Sequence, residues 1–323
     1  MTNYECYGTC SPVRSEHRTT EAELRLIEEI KGREIPYWYP TDPFGPHREM
    51  WRGGHRDAGI TQVCDFYTKR NLWALSALWQ SISACDDGRT SAALRFIVSA
   101  SLYVASKMSS FRYDSRNPAN TAGGIHKGTL YIPSLSKEAA IPGLFRNKWP
   151  YLRQTFSHKA YPVLEDTTII LNGSASALSP VISDGTIDYI FTDPPFGANI
   201  FYADCSLLWE AWLQDFTDVQ QEAVWNKSLK PEHGGKTLTD YSVLMDKAFV
   251  EMYRVLKPGR WASIVFSNSD DHVWQVIRDG AREAGFDLSN TVALDKKQRS
   301  FKQIRGREGR RERRRHRHYH EPA

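Results

Sequence analysis

Asp193-Pro194-Pro195-Phe196 interrupts an apolar run, Ile187 to Thr192, whose β-branched and aromatic residues read as a buried strand. Each proline fixes φ and lacks an N–H for a ladder, so the strand stops there in a rigid, extended turn. The turn presents a carboxylate and a neighbouring main-chain carbonyl at the C-terminal end of the strand, the edge where open α/β sheets bind ligands. Both groups are acceptors, so the chemistry open to them is to grip a donor in a fixed place.

The elements around this turn follow from periodicity. Before it, Thr167 to Leu171 reads as a strand ending in Asn172-Gly173-Ser174. After it, Asp204 to Leu213 and Thr239 to Leu256 read as helices. The second ends at Val255-Leu256-Lys257-Pro258-Gly259, where Pro-Gly predicts a turn into the strand Trp261 to Asn268. A helix over 271–284 and a strand around 288–294 complete the series. Strands and helices alternating at these lengths predict an α/β fold with a mostly parallel, doubly wound sheet.

The N-terminal half reads differently. Thr20-Glu21-Ala22-Glu23 is a capping box opening a helix over 21–31. Residues 35–59, rich in Pro, Gly and aromatics, form a long irregular loop of a length that usually carries function. Helices follow from Thr68, with Leu72, Leu75, Trp79 and Ile82 on one face, and over 89–108. The expected division is a mainly helical region 1–160, a sheet region 161–304 and a basic tail 305–323.

With that framework the motif resembles the [D/N/S]PP[Y/F/W] signature of amino-group DNA methyltransferases. The context strengthens the likeness: "VLKPGRWASIVFSN" is similar to the following strand of class I methyltransferases, and "LNGSASAL" to the segment before their catalytic strand. The longer string "DYIFTDPPFGANIFYADCSLLWEAWL", with upstream "TKRNLWALSALW" and "GTLYIPSL", resembles bacterial DNA methylases with a large insertion, some of which carry a zinc-ribbon-like element. The likeness spans roughly residues 35–304.

The resemblance implies an incomplete Rossmann-like class I sheet and S-adenosyl-L-methionine as cofactor. It implies methylation of an exocyclic base amine, adenine N6 favoured over cytosine N4. Asp193, Pro194, Pro195 and Phe196 take the catalytic positions, with Phe196 stacking on an extruded base. Asn172, Gly173, Ser174, Ser267 and Asn268 take the cofactor positions, each with a structural turn or helix cap as the alternative. Tyr202 and Asp204, just beyond the motif, could touch cofactor or DNA. The implied partners are DNA and, by the same likeness, restriction or defence subunits. A non-catalytic DNA-binding fragment is the competing reading.

The family also has a glycine-rich cofactor loop. Nothing downstream of the motif matches it, and upstream the nearest string is Thr41-Asp42-Pro43-Phe44-Gly45-Pro46, which follows no buried strand. The expectation is therefore a chain truncated at its N-terminus, with a separately encoded half supplying that loop.

Composition bounds the remaining classes. With 41% hydrophobic and 25% charged residues, the 323-residue chain is ordinary globular protein. It has no apolar run of about 18 residues for a bilayer and no signal-peptide centre, so a cytoplasmic, non-membrane location is expected. Five cysteines without regular spacing argue against a disulfide framework. Only Cys6 and Cys10 have ligand-like spacing; zinc would need two further ligands, and two unpaired thiols are the preferred reading, so no metal is assigned.

The net charge of +4 is concentrated in the tail. Eight arginines against three glutamates in residues 305–323 give +5, leaving −1 for the rest. The tail reads as a nucleic-acid arm by composition. Read one base out of frame, one permitted back-translation of residues 313–320 encodes an apolar strand. A slip near Gly306 replacing the last strand is the expectation.

Overall fold

The computed structural model describes residues 3–5, 16–111, 124–157, 168–179 and 181–292. Cys6, Cys10, Thr167 and the tail expectations lie outside them. The described chain is mixed α/β, with eight α-helices and a small parallel sheet of two strands.

Strands β1 (Asn3–Glu5) and β2 (Glu16–Arg18) pair antiparallel and lead into helix α1 (Glu21–Gly32). The capping box forms: Glu23 N donates to Thr20 Oγ1 at 3.3 Å, and Thr20 N to Glu23 Oε2 at 2.7 Å. After the short helix α2 (Gly53–Asp57) come α3 (Lys69–Ser83), α4 (Gly88–Leu102) and α5 (Ile141–Ser157). Thr68 caps α3 by accepting from Asn71 N, and Asp87 caps α4 by accepting from Arg89 N and Thr90 N. The second helix is thus shorter than expected, giving way to turns after Leu102.

The core lies among these helices, with Leu72, Leu75, Trp79 and Ile82 of α3 facing Val98 and Leu102 of α4. It also takes in Leu207, Leu208, Ala211 and Trp212 of α6 (Tyr202–Leu213). This helix lies beyond residue 160 yet is packed into the core of the helices before it. The division expected there does not separate two cores.

The sheet pairs β3 (Ile187–Thr192) with β4 (Leu256–Ile264) in parallel, and α7 (Leu238–Val255) packs on α8 (Asp271–Glu283). Gly280 permits that contact: a Cβ there would lie 3.0 Å from Phe249 Cδ2 and 2.4 Å from Asp246 Oδ1.

Three expectations are corrected. Pro258-Gly259 does not turn the chain into a new strand. Strand β4 already begins at Leu256 and carries the Pro-Gly as an irregularity, Ile187 pairing with Leu256 but Tyr189 with Trp261. Residues 168–171 form no strand, and Ile169, Ile170 and Leu171 are exposed, because no described residue pairs with them. Residues 288–292 likewise form no strand, with Leu288 and Val292 exposed. Among the described residues the sheet has two parallel strands, compatible with the incomplete sheet expected, and one face of it is uncovered: Tyr189, Phe191 and Trp261, which alternation sends to that face, are 55%, 67% and 62% exposed.

Candidate active site

Strand β3 delivers Asp193 to its C-terminal mouth. The ladder continues one step past the strand, with Val265 N donating to Thr192 O at 2.9 Å, so the segment after β4 runs beside the proline turn. Asp193 is exposed and Pro194 is buried. Neither the Asp193 carboxylate nor the Pro194 carbonyl accepts a hydrogen bond from any described residue. Both acceptors are thus uncommitted within the described chain, the carboxylate on an exposed residue and the carbonyl on a buried one.

The turn behind them is held at three consecutive residues. Tyr241 Oη, from the first turn of α7, donates to the Pro195 carbonyl at 2.8 Å. Asn268 Nδ2 donates to the Phe196 carbonyl at 2.9 Å. Gly197 adopts φ +66 beneath Trp225, and a Cβ there would stand 3.1 Å from Trp225 Nε1. Tyr241 is wholly enclosed, and burial pushes its phenol well above the usual range, so it remains a neutral donor.

Phe196 is half-buried in an aromatic row: its ring lies 5.5 Å from Phe266, which meets Trp274 edge-on at 5.0 Å. Asn268 belongs to the same unit, its carbonyl accepting from Trp274 Nε1 at 2.9 Å and its Oδ1 from Asp270 N at 2.9 Å. Asp270 in turn caps α8.

Beyond the turn, α6 starts at Tyr202 with Glu222 as its cap, accepting from Tyr202 N at 2.6 Å and Ala203 N at 3.1 Å. The Tyr202 phenol is raised by burial, partly offset by the Phe196 main chain, and the Asp193 charge adds to the rise. Asp204 points the other way, toward residues 48–50, accepting from Met50 N at 2.8 Å and Arg48 Nη1 at 3.4 Å.

Asp204 and Glu222 both sit above the ordinary carboxylate range, in each case through burial first. A folded pKa above the unfolded one means that protonation favours the fold. Their contribution is complete below about pH 4 and is lost as pH rises through each raised value. Glu251, which Arg254 holds down to about 2, acts oppositely, contributing at neutral pH and losing that contribution as pH falls toward its folded pKa. The double variant Asp204→Asn/Glu222→Gln should therefore lose less thermal stability than the parent chain as pH rises from about 4 to 7. Thermal melts at several pH values measure the two slopes, and parallel slopes would contradict the assignment.

Trp225 owes its place over Gly197 to Glu49, which sits 176 positions earlier in the chain. This carboxylate is 4% exposed and accepts from Ser228 N at 2.9 Å, Leu229 N at 2.6 Å, Lys227 N at 3.3 Å and Asn226 Nδ2 at 3.3 Å. Arg52 Nη2 adds a bond to Ser228 Oγ at 3.1 Å. Truncating Glu49 to Ala leaves a buried site without its carboxylate and several part-buried donors without their acceptor, and each fully buried group left unpaired costs about 1–3 kcal/mol. A loss of about 3 kcal/mol in urea unfolding is expected for Glu49→Ala. Glu49→Gln keeps one acceptor and should lose less.

The five residues proposed for the cofactor are not gathered. Asn172 and Gly173 are exposed. Ser174 bonds Ser176, and the segment is pinned at Leu178 N and Ser179 N to Glu251, near the end of α7 remote from Tyr241. Ser267 is exposed beside Asn268, whose amide is committed to Phe196. In the Asp42-Pro43-Phe44-Gly45 string, Phe44 is a core residue against Phe66 and His55. Among the described residues no group of three His, Cys, Asp or Glu side chains could hold a metal ion, and no helix is long and apolar enough to cross a membrane.

No protein-family model, curated protein or solved structure matches the chain.

Sequence reasoning singled out Asp193 to Phe196, and it named Asn268 for the cofactor where the structure has its amide bracing the turn. It missed Tyr241, Trp225, Glu222 and Glu49, none of which carries a local signal: their partners lie 20 to 180 positions away.

Proposed function

We propose that the chain is an S-adenosylmethionine-dependent DNA methyltransferase acting on an exocyclic base amine, adenine N6 favoured. One observation carries this reading. An exposed carboxylate and its neighbouring carbonyl stand uncommitted at the mouth of a parallel strand, on a turn braced by Tyr241, Asn268 and Trp225.

The chemistry of the amine explains the need for that arrangement. The lone pair of a base amine is delocalised into the ring and is a poor nucleophile. When Asp193 Oδ and the Pro194 carbonyl each accept one N–H, the nitrogen can pyramidalise and the lone pair stands out of the ring plane. These bonds strengthen as the nitrogen gains positive charge, so they lower the barrier more than they tighten binding. The braces limit motion of the acceptors, which matters because misplacement by about 1 Å can cost a hundredfold in rate.

The residues that the resemblance assigns to the cofactor do not fit it among the described positions. Asn172 and Gly173 stand in solvent and the Asn268 amide braces the turn, so the chemistry is argued for the amine alone. That same observation favours a second reading, a DNA-binding fragment without chemistry. A cradle from a separately encoded subunit belongs to the first reading.

Incubating the full chain with DNA and S-adenosylmethionine carrying a labelled methyl separates them. The expected product after digestion to nucleosides is labelled N6-methyldeoxyadenosine, from the chain alone or after adding a complementing subunit. Labelled DNA in neither case, with DNA binding intact, favours the fragment.

A further inference from the structure

The three helices α3, α4 and α5 carry seven lysines and arginines and no aspartate or glutamate over their whole lengths. The rest of the chain is not built this way: α1 alone has Glu21, Glu23, Glu28 and Glu29. Several of the seven cations have work inside the fold. Arg70 pairs with Glu138, Lys69 donates to Lys31 O at 2.8 Å, and Arg95 lies 5.4 Å over the Trp79 ring. Arg146, Lys148 and Arg153, all on α5 and all exposed, form no ion pair with a described residue.

Arg146, Trp149 and Arg153 fall at i, i+3 and i+7, one stripe of the helix with an aromatic ring between two guanidinium groups. Trp149 is 44% exposed and Tyr151 71%. Beside the stripe lies an open groove of about 690 Å³ between the three helices, lined by Leu78, Leu94, Phe145, Arg146 and Trp149 among others. Its walls are almost wholly apolar.

We propose that this face of α5 binds single-stranded nucleic acid, Arg146 and Arg153 of the stripe and Lys148 further round the helix taking phosphates, and Trp149 with the groove taking the face of an unpaired base. The charge matches a polyanion, and a continuous run without carboxylates removes the repulsion that would oppose one. Exposed aromatic rings between cations suit a strand whose bases are free to stack. The apolar, open walls suit a π-face whose polar edge stays in water, so binding should tolerate any sequence. The inference deepens the methyltransferase reading and rests on it for the polymer, since an enzyme acting on a base amine takes its substrate single-stranded or with the target base extruded.

The test is fluorescence anisotropy of the full chain with a labelled oligodeoxythymidine of about 20 nucleotides and a duplex of the same length, across a salt series without cofactor. The variant Arg146→Ala/Lys148→Ala/Arg153→Ala should reduce the slope of log affinity against log salt by about 2 on the single strand, at about 0.7 per phosphate. Trp149→Ala should weaken single-strand binding at least about tenfold and Trp149→Phe much less. Arg146→Lys/Arg153→Lys should retain the slope.

Unchanged affinity and slope in the triple variant overturns the proposal. So does binding to vesicles of anionic phospholipid with none to the oligonucleotide. Methyl-transfer assays on the parent chain and on the same α5 variants separate the two readings. Loss of binding in the α5 variants without any methyl transfer by the parent sinks the enzyme alone; methyl transfer with unaltered binding in those variants sinks the α5 surface alone.

Discussion

On the proposed methyl-transfer reading, replacing Asp193 with Ala should lower kcat by about 10²–10³-fold and leave the thermal midpoint unchanged, the first of two large expected effects. The carboxylate is exposed and accepts no hydrogen bond from a described residue, so its removal breaks nothing in the fold. Exposed substitutions of this kind stay within about 0.5 kcal/mol of the parent. What is removed is one of two acceptors that act while the amine is reacting, so kcat should fall with KM little altered. Asp193→Asn keeps a carbonyl oxygen in place without the charge and should fall between the two. Initial rates with labelled methyl donor, alongside thermal melts of each variant, measure the split. A rate that survives Asp193→Ala within about threefold would remove the carboxylate from the reaction.

The second large effect is on stability. Trp212 is wholly enclosed and meets Trp38, Tyr67 and Trp79 at ring-centroid distances of 5.9, 6.3 and 5.5 Å, the first two edge-on. Truncation to Ala empties the centre of that cluster and should cost about 3–5 kcal/mol. Domain stabilities are about 5–15 kcal/mol in all, so this is a large share. At about 2–3 kcal/mol per molar urea the midpoint should fall by about 1–2.5 M. Trp212→Phe should cost clearly less, for a specific reason. The indole Nε1 and the neighbouring Tyr67 hydroxyl are both buried without a hydrogen-bond partner of good geometry, and burial pushes that phenol up as well. Phenylalanine removes an unpaired donor along with part of the ring volume. Equal losses for the two variants would show that the enclosed N–H carries no penalty.

Much of the framework is local and was legible for that reason. Thr20 with Glu23 marks a helix start within three residues, as do Thr68 and Asp87 before the next two helices, and each cap forms, whereas the Thr237 cap of α7 went unread. The run Ile187 to Thr192 ends where the prolines end it. Apolar content did not suffice where a strand needs a neighbour: Ile169, Ile170 and Leu171 have the composition of a strand and none of its pairing. The Pro-Gly after Leu256 carries a turn signal, but its place is set by a ladder with Ile187 and Tyr189 that no local window contains.

The candidate site divides the same way. Asp193 and the prolines are a contiguous word, readable as such. The groups that hold them are not: Tyr241 is one aromatic residue in an amphipathic helix, and Glu49 is one carboxylate in an irregular loop. Asn268 was found by its position after β4, yet its amide serves the turn.

Because Leu207, Leu208, Ala211 and Trp212 seat among side chains drawn from residues 44–141, no crossover point between those stretches is neutral. A recombination event that grafted a foreign C-terminal half onto this N-terminal half would inherit the Asp-Pro-Pro-Phe word intact and still lose the indole that fits between Trp38, Tyr67 and Trp79. The two stretches can drift only in step, each constrained by the other's mutations.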